Sequence, residues 1–148
     1  IFTHFVPHED TAHRGLSQLG PASRRACMGS LLTAGTAVLE PTLAIEVRVP
    51  TDLVGNVATI LSGKRGKVLD MQQKGASSIV IGEIPASETF TLSEAMRGQT
   101  AGRATWNTSF KEWTEVPKSM LTSAVADIRK RKGLAPEPPG VGEFIDKE

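Results

Sequence analysis

Residues 39–50 read LEPTLAIEVRVP, with Leu43, Ile45, Val47 and Val49 at every second position and Ala44, Glu46 and Arg48 between them. Side chains alternate across a strand, so this spacing predicts a strand with one buried face. The period then changes. Thr51 is placed to cap a helix, Asp52 favours the positive end of that helix, and Leu53, Val54, Val57, Ile60 and Leu61 recur on one helical face. An apolar stripe on a helix next to an apolar strand face predicts that the helix covers a sheet.

Further along, Gly63-Lys64-Arg65-Gly66 breaks the helix, Lys67 to Gln73 reads as a second strand, Lys74-Gly75-Ala76 as a turn, and Ser77 to Ile84 as a third strand. The short connection implies an antiparallel hairpin. Pro85 ends that strand. Thr91-Leu92-Ser93-Glu94 then has the spacing of a capping box and opens a second short helix stopping near Gly98, with Phe90, Ala95 and Met96 as its apolar contacts. A fourth strand is expected from Arg103 to about Phe110, with Ala104, Trp106, Thr108 and Phe110 on one face. The order β-α-β-β-α-β is the split β-α-β arrangement, so the expected class is α+β. It is a ferredoxin-like domain, an antiparallel four-stranded sheet with helices on one face.

On the upstream side, Ile1-Phe2-Thr3-His4-Phe5-Val6 alternates like a strand already under way, without an initiator methionine. We therefore expect a C-terminal piece of a longer protein. Residues 8–20, HEDTAHRGLSQLG, concentrate polar chemistry where regular structure is disfavoured. Pro7 ends the strand, Glu9, Asp10 and Thr11 favour turns, and His13, Arg14 and Gly15 fall near the tip. Gly15 and Gly20 allow tight backbone geometry, and Pro21 suits the first position of a helix that runs to Ala34 and stops at Gly35. This reading displays the His13 imidazole to solvent. On the downstream side, Leu121, Val125 and Ile128 mark a helix from Met120 to Lys132 ended by Gly133, and Pro136, Pro138 and Pro139 predict an extended tail.

The chain is 39% apolar with a net charge of +1, so a broad positive field for nucleic acid is absent and any RNA contact is local. One cysteine, Cys27, makes no internal disulfide, and neither a leader nor an apolar span of about 20 residues is present. These features point to a soluble, cytoplasmic protein away from membranes. No phosphate-binding glycine loop, nucleophile elbow or cysteine cluster is found, so the piece is not itself an obvious enzyme. His4, His8 and His13 lack the spacing of a metal site, and none is expected. Ser78-Ile79-Val80-Ile81-Gly82 carries no aromatic ring for base stacking, whereas Gly63 to Gly66 and Arg97 to Arg103 place cations on glycine-rich loops. The run Arg129-Lys130-Arg131-Lys132 reads equally as an RNA contact or as complement to a helix dipole.

His8-x-Asp10-x-x-His13-Arg14-Gly15, followed by Gln18, Pro21 and Arg24-Arg25, resembles the tip loop and helix in the fourth domain of the translation elongation factor 2 family. Agreement continues through Glu40-Pro41, Val49-Pro50, Gly55-x-Val57, Arg65-Gly66-x-Val68, Arg97-x-x-Thr100-x-Gly102-Arg103-Ala104 and Ile128 to Leu134, and the ending from Lys132 to Pro139 looks archaeal. The resemblance implies residues 1–38 as the end of the fourth domain, a partial α/β domain. It implies 39–116 as the ferredoxin-like fifth domain and 117–148 as a C-terminal helix and extended tail. It also implies a parent GTPase that moves tRNA and mRNA through the ribosome, using GTP and magnesium bound elsewhere, so that this piece has no activity alone. His13 would be the histidine converted to diphthamide by dedicated enzymes and attacked by ADP-ribosylating toxins, with Arg14 and Gly15 as its neighbours. Arg65 and Arg103 are the expected contacts to ribosomal RNA. The alternative is a free-standing ferredoxin-like RNA-binding module without a GTPase parent. Leu16-Ser17, Thr91-Leu92-Ser93 and Gly63-Lys64-Arg65 depart from the usual family residues.

Overall fold

In the computed structural model, which describes residues 6–145, the alternating stretch Leu39–Pro50 forms the strand β1. Ile45, Val47 and Val49 are buried and Leu43 packs against them, so the apolar positions share one face as their spacing predicts. The helix α2 follows over Val54–Gly63, then the hairpin of β2 (Lys67–Lys74) and β3 (Ser77–Pro85), the helix α3 (Leu92–Thr100) and the strand β4 (Thr105–Glu115). The sheet order is β2-β3-β1-β4 with every pair antiparallel. This is the expected split β-α-β topology, in which β3 lies between the two strands that α2 connects.

The core lies between the sheet and the two helices. Val57, Ile60 and Leu61 of α2 and Leu92 and Met96 of α3 meet Ile45, Val47, Val49, Val80 and Ile84. Each such side chain contributes about 1.5–3 kcal/mol on leaving water. β3 can approach the start of β2 this closely only because residue 82 is glycine, since a Cβ there would stand 2.5 Å from the Lys67 carbonyl oxygen. A register shift between Val68 and Asp70 adjoins this close approach.

Contacts divide the chain into a unit of residues 38–117 and a second unit formed by the segments up to residue 37 and from residue 118. The second unit contains a short 3-10 turn at Thr11–Arg14, the helix α1 (Leu16–Ala34) and the helix α4 (Lys118–Arg131). It also has a 3-10 turn at Val141–Glu143, where Arg25 Nη2 donates to the Glu143 carbonyl at 3.4 Å and Phe144 lies beside Gly29 of α1.

Several local expectations are corrected. α1 begins at Leu16, so Pro21 sits inside the helix and not at its first position. The Gly15 carbonyl starts the turn by accepting from Gln18 and Leu19, both at 3.0 Å. Gly20 has no Cβ to clash with the Pro21 ring, which eases the helical backbone before it, while the missing Pro21 N–H leaves the Ser17 carbonyl without its usual intrahelical donor. Thr51 does not cap α2. Its hydroxyl lies 3.1 Å from that of Ser78, and a 3-10 turn over Thr51–Leu53 leads into the helix. Nor does a capping box open α3, since the Thr91 hydroxyl accepts from Lys64 Nζ and the segment before α3 is a 3-10 turn, Ala86–Thr91. Phe90 on that turn is 86% exposed and makes no core contact. β4 runs on to Glu115 by pairing with the start of β1, past a bulge at Lys111. α4 is displaced to Lys118–Arg131, and the tail contains one helical turn. The strand expected over Ile1 to Val6 lies largely outside the described residues. No described helix is long and apolar enough to cross a membrane.

Candidate functional site

The loop before α1 is organised by Asp10. Its Oδ1 accepts from the Ala12 backbone N–H at 2.9 Å, its carbonyl accepts from the His13 N–H at 3.1 Å, and its own N–H donates to His8 Nδ1 at 3.1 Å. Asp10 Oδ2 lies 3.2 Å from His13 Nδ1. A carboxylate only accepts, so the proton of that contact belongs to His13 Nδ1, and the opposite edge of the ring, Nε2, has no hydrogen-bond partner among the described residues. The tautomer of His8 is the reverse, because its Nδ1 accepts. The two rings stand 4.6 Å apart at a tilt of 42°.

Arg14 closes the loop from the other side. Its Nε donates to the His8 carbonyl at 2.6 Å and its Nη2 to the Glu9 carbonyl at 2.9 Å, so the guanidinium is folded back on the loop. The His13 side chain is 51% exposed. An exposed imidazole is what the sequence predicts here, but the loop is more ordered than turn residues alone suggest. Each of these exposed bonds is worth only about 0.5–1.5 kcal/mol, yet together they restrict where His13 can go. The first 3-10 turn has no buried residue, so these polar bonds and Gly15 define its shape.

The two arginines expected to meet RNA have unlike surroundings. Arg65 follows α2 in the left-handed region at φ 55°, a conformation costly for any residue with a Cβ. Its neighbour must be glycine, since a Cβ at Gly66 would lie 2.8 Å from both the Leu61 and Glu83 carbonyl oxygens. The Arg65 guanidinium reaches inward. Nη1 and Nη2 grip Glu40 at 2.6 and 3.1 Å, Nε donates to Glu88 at 2.9 Å, and Nη2 also donates to the Ser87 hydroxyl at 2.8 Å. The Arg65 bond holds the Glu40 carboxyl below its usual range against the opposing effect of burial, and Glu40 in turn raises the Arg65 guanidinium above its own. Arg103 is different. It follows the left-handed pair Ala101 and Gly102, its side chain is 53% exposed, and its one ionic partner among the described residues, Asp52, stands 3.5 Å away.

His13, Arg14 and Gly15 are brought together as expected, while Arg65 and Arg103 lie in the other unit. Sequence reasoning did not find Ser87 and Glu88 as partners of Arg65, because they stand 22 and 23 residues away with no periodic signal. For Glu40, only its place in the Glu40-Pro41 motif hinted at a role. Among the described residues, no group of three or more His, Cys, Asp and Glu is arranged to hold a metal ion.

The model of the elongation factor G C-terminus matches residues 37–133. The chain belongs to that family. An elongation factor 2 of Cenarchaeum symbiosum is 79% identical over 99% of this chain, and one of Staphylothermus marinus is 49% identical over 95%. The chain spans 20% and 19% of those relatives. A crystal structure from Thermus thermophilus superposes on 66% of the chain, and 14% of its own, with a TM-score of 0.58 at 31% identity. The family resemblance read from the motifs therefore stands, as does the α+β fold with its antiparallel four-stranded sheet.

Proposed function

We propose that this chain works as the C-terminal part of a ribosomal translocation factor of the elongation factor 2 type, with His13 as its diphthamide site. The reading gives residues 1–38 to the fourth domain, 39–116 to the fifth and 117–148 to the C-terminal helix and tail. GTP and magnesium belong to another part of the parent, since no glycine loop ending in Lys-Ser/Thr is present here to cradle a triphosphate. The setting is the cytoplasm and the partner is the ribosome, with tRNA and mRNA near the decoding site, besides the modifying enzymes and ADP-ribosylating toxins.

The observation that carries the reading is the open edge of His13. Asp10 anchors one side of an exposed imidazole within the His13-Arg14-Gly15 motif, so a modifying enzyme can approach from the other. A loop held this way suits a group that must enter an RNA groove. Diphthamide adds length and fixed positive charge, which reach phosphate more strongly than a neutral imidazole. Mass spectrometry of the peptide containing His13, purified from the native organism, should show the modified mass. The same protein should accept ADP-ribose from NAD in the presence of toxin. An unmodified histidine in native material overturns the assignment, while protein made in a bacterial host is expected to carry plain histidine.

Of the two arginines, Arg103 is the one free to leave its partner for a phosphate. Arg103→Gln in the full-length factor should lower the slope of log affinity for ribosomes against log salt by about 1, as one fewer counterion is released. An unchanged slope removes Arg103 from the interface.

A further inference from the structure

The end of α4 presents more positive charge than its helix can use. Gly133, at φ 70°, and Leu134 close the helix by donating to the Lys130 and Arg129 carbonyls at 3.0 and 2.9 Å, the pairing of a Schellman cap. Arg129 is consumed locally, its Nε donating to the Ala135 carbonyl at 2.6 Å. Lys130, Arg131 and Lys132 are all exposed, and no side chain among the described residues bonds or pairs with any of them. Asp127 lies three and four residues before Lys130 and Arg131, the spacing that permits helical ion pairs, and it forms none among the described residues.

Cations in a last turn complement the helix dipole by about 0.3–1 kcal/mol, an effect that falls off within that turn and does not require three of them side by side. Lys130 and Arg131 end α4 and Lys132 directly follows it, so three consecutive exposed cations crowd the helix end as a collar. Their mutual repulsion is unrelieved within the described residues. That arrangement fits a partner with charge distributed along a line. We propose that Lys130, Arg131 and Lys132 form a docking collar for RNA phosphates. The proposal rests on the reading of this chain as part of a ribosomal factor, and it assigns RNA contact to residues other than His13 and Arg103.

The test uses the full-length factor with Lys130→Gln, Arg131→Gln and Lys132→Gln combined, titrated against purified ribosomes and against a plain RNA duplex over a range of salt. Glutamine keeps the helix propensity, and circular dichroism verifies the fold of the variant. The slope of log affinity against log salt should fall by about 2–3 on ribosomes, with binding about tenfold or more weaker near 0.1 M salt, and duplex binding should weaken as well. A charge-keeping variant, Lys130→Arg with Lys132→Arg, should retain the wild-type slope. An unchanged slope in the glutamine variant overturns the proposal. Weakening on ribosomes but not on the duplex also overturns it, by assigning the collar to an acidic protein. Failure of the wild-type factor to bind ribosomes at all would instead remove the functional reading beneath it.

Discussion

Replacing Arg65 with alanine should destabilise the 38–117 unit by about 2–4 kcal/mol, visible as a lowered midpoint in urea. The guanidinium ties three segments that are distant in sequence: Glu40 in β1, Ser87 and Glu88 in the turn before α3, and the turn after α2 that carries Arg65 itself. The side chains of Arg65, Glu40 and Glu88 are 24%, 13% and 25% exposed, so solvent screens the pairs only in part. Truncation would strand the Glu40 carboxylate with the Ser87 hydroxyl, which donates to it at 3.0 Å, as its remaining partner. The cost is placed below that of a fully buried pair for this reason. Arg65→Lys would recover charge without the fork that grips both Glu40 oxygens. Arg65→Gly would relieve the left-handed backbone and should be about 1 kcal/mol less damaging than alanine. Wild-type stability in all three variants would show that neither the ion pairs nor the backbone matters.

The same cluster sets a pH dependence. Glu40 is lowered from its ordinary value of 4.5, chiefly by the Arg65 hydrogen bond. A carboxyl lowered on folding contributes stability that is complete above the unfolded value and is lost as pH falls through the folded one. Wild-type stability should therefore decline from about pH 4.5 downward, and Arg65→Ala should flatten that limb. Arg65 is raised, so its contribution would be lost only at alkaline pH beyond any practical range.

Gly82→Ala should cost about 3–5 kcal/mol, the largest effect expected of a single added methyl group here. The new Cβ would stand 2.5 Å from the Lys67 carbonyl oxygen and 3.5 Å from Leu61 Cδ1. A backbone oxygen cannot swing aside as a flexible side chain can, so β2 must lift from β3 near its start, where Lys67 and Val68 pair with Glu83 and Gly82. Gly98→Ala supplies the contrast. Gly98 lies in α3 with nothing within 4 Å of its added Cβ, and removing glycine from a helix should stabilise by about 0.5–1 kcal/mol. Matched losses at both positions would mean that glycine content, and not the close approach at Gly82, sets the result. Hydrogen exchange should place the Gly82→Ala loss in the β2–β3 ladder.

The alternation from Leu43 to Val49 by itself determined which face of β1 is buried, and the helical spacing of Val57, Ile60 and Leu61 determined what covers it. Both are periodic patterns within a few residues, and the hydrophobic effect acts on them wherever the chain folds. The exposure of His13 was legible for a similar reason, because proline, glycine and short polar residues around it leave nothing to bury it. The tertiary structure alone decided matters that depend on competing partners. Thr51 and Thr91 have good capping chemistry, but Ser78 and Lys64 are brought within reach of their hydroxyls and take them. β4 extends to Glu115 because Leu39 and Glu40 of β1 are there to pair with it. Arg65 turns inward because Glu40, Ser87 and Glu88 converge on it from more than 20 residues away. A side chain's valence is written in the sequence, but the partner that satisfies it is chosen only when distant segments share the same space.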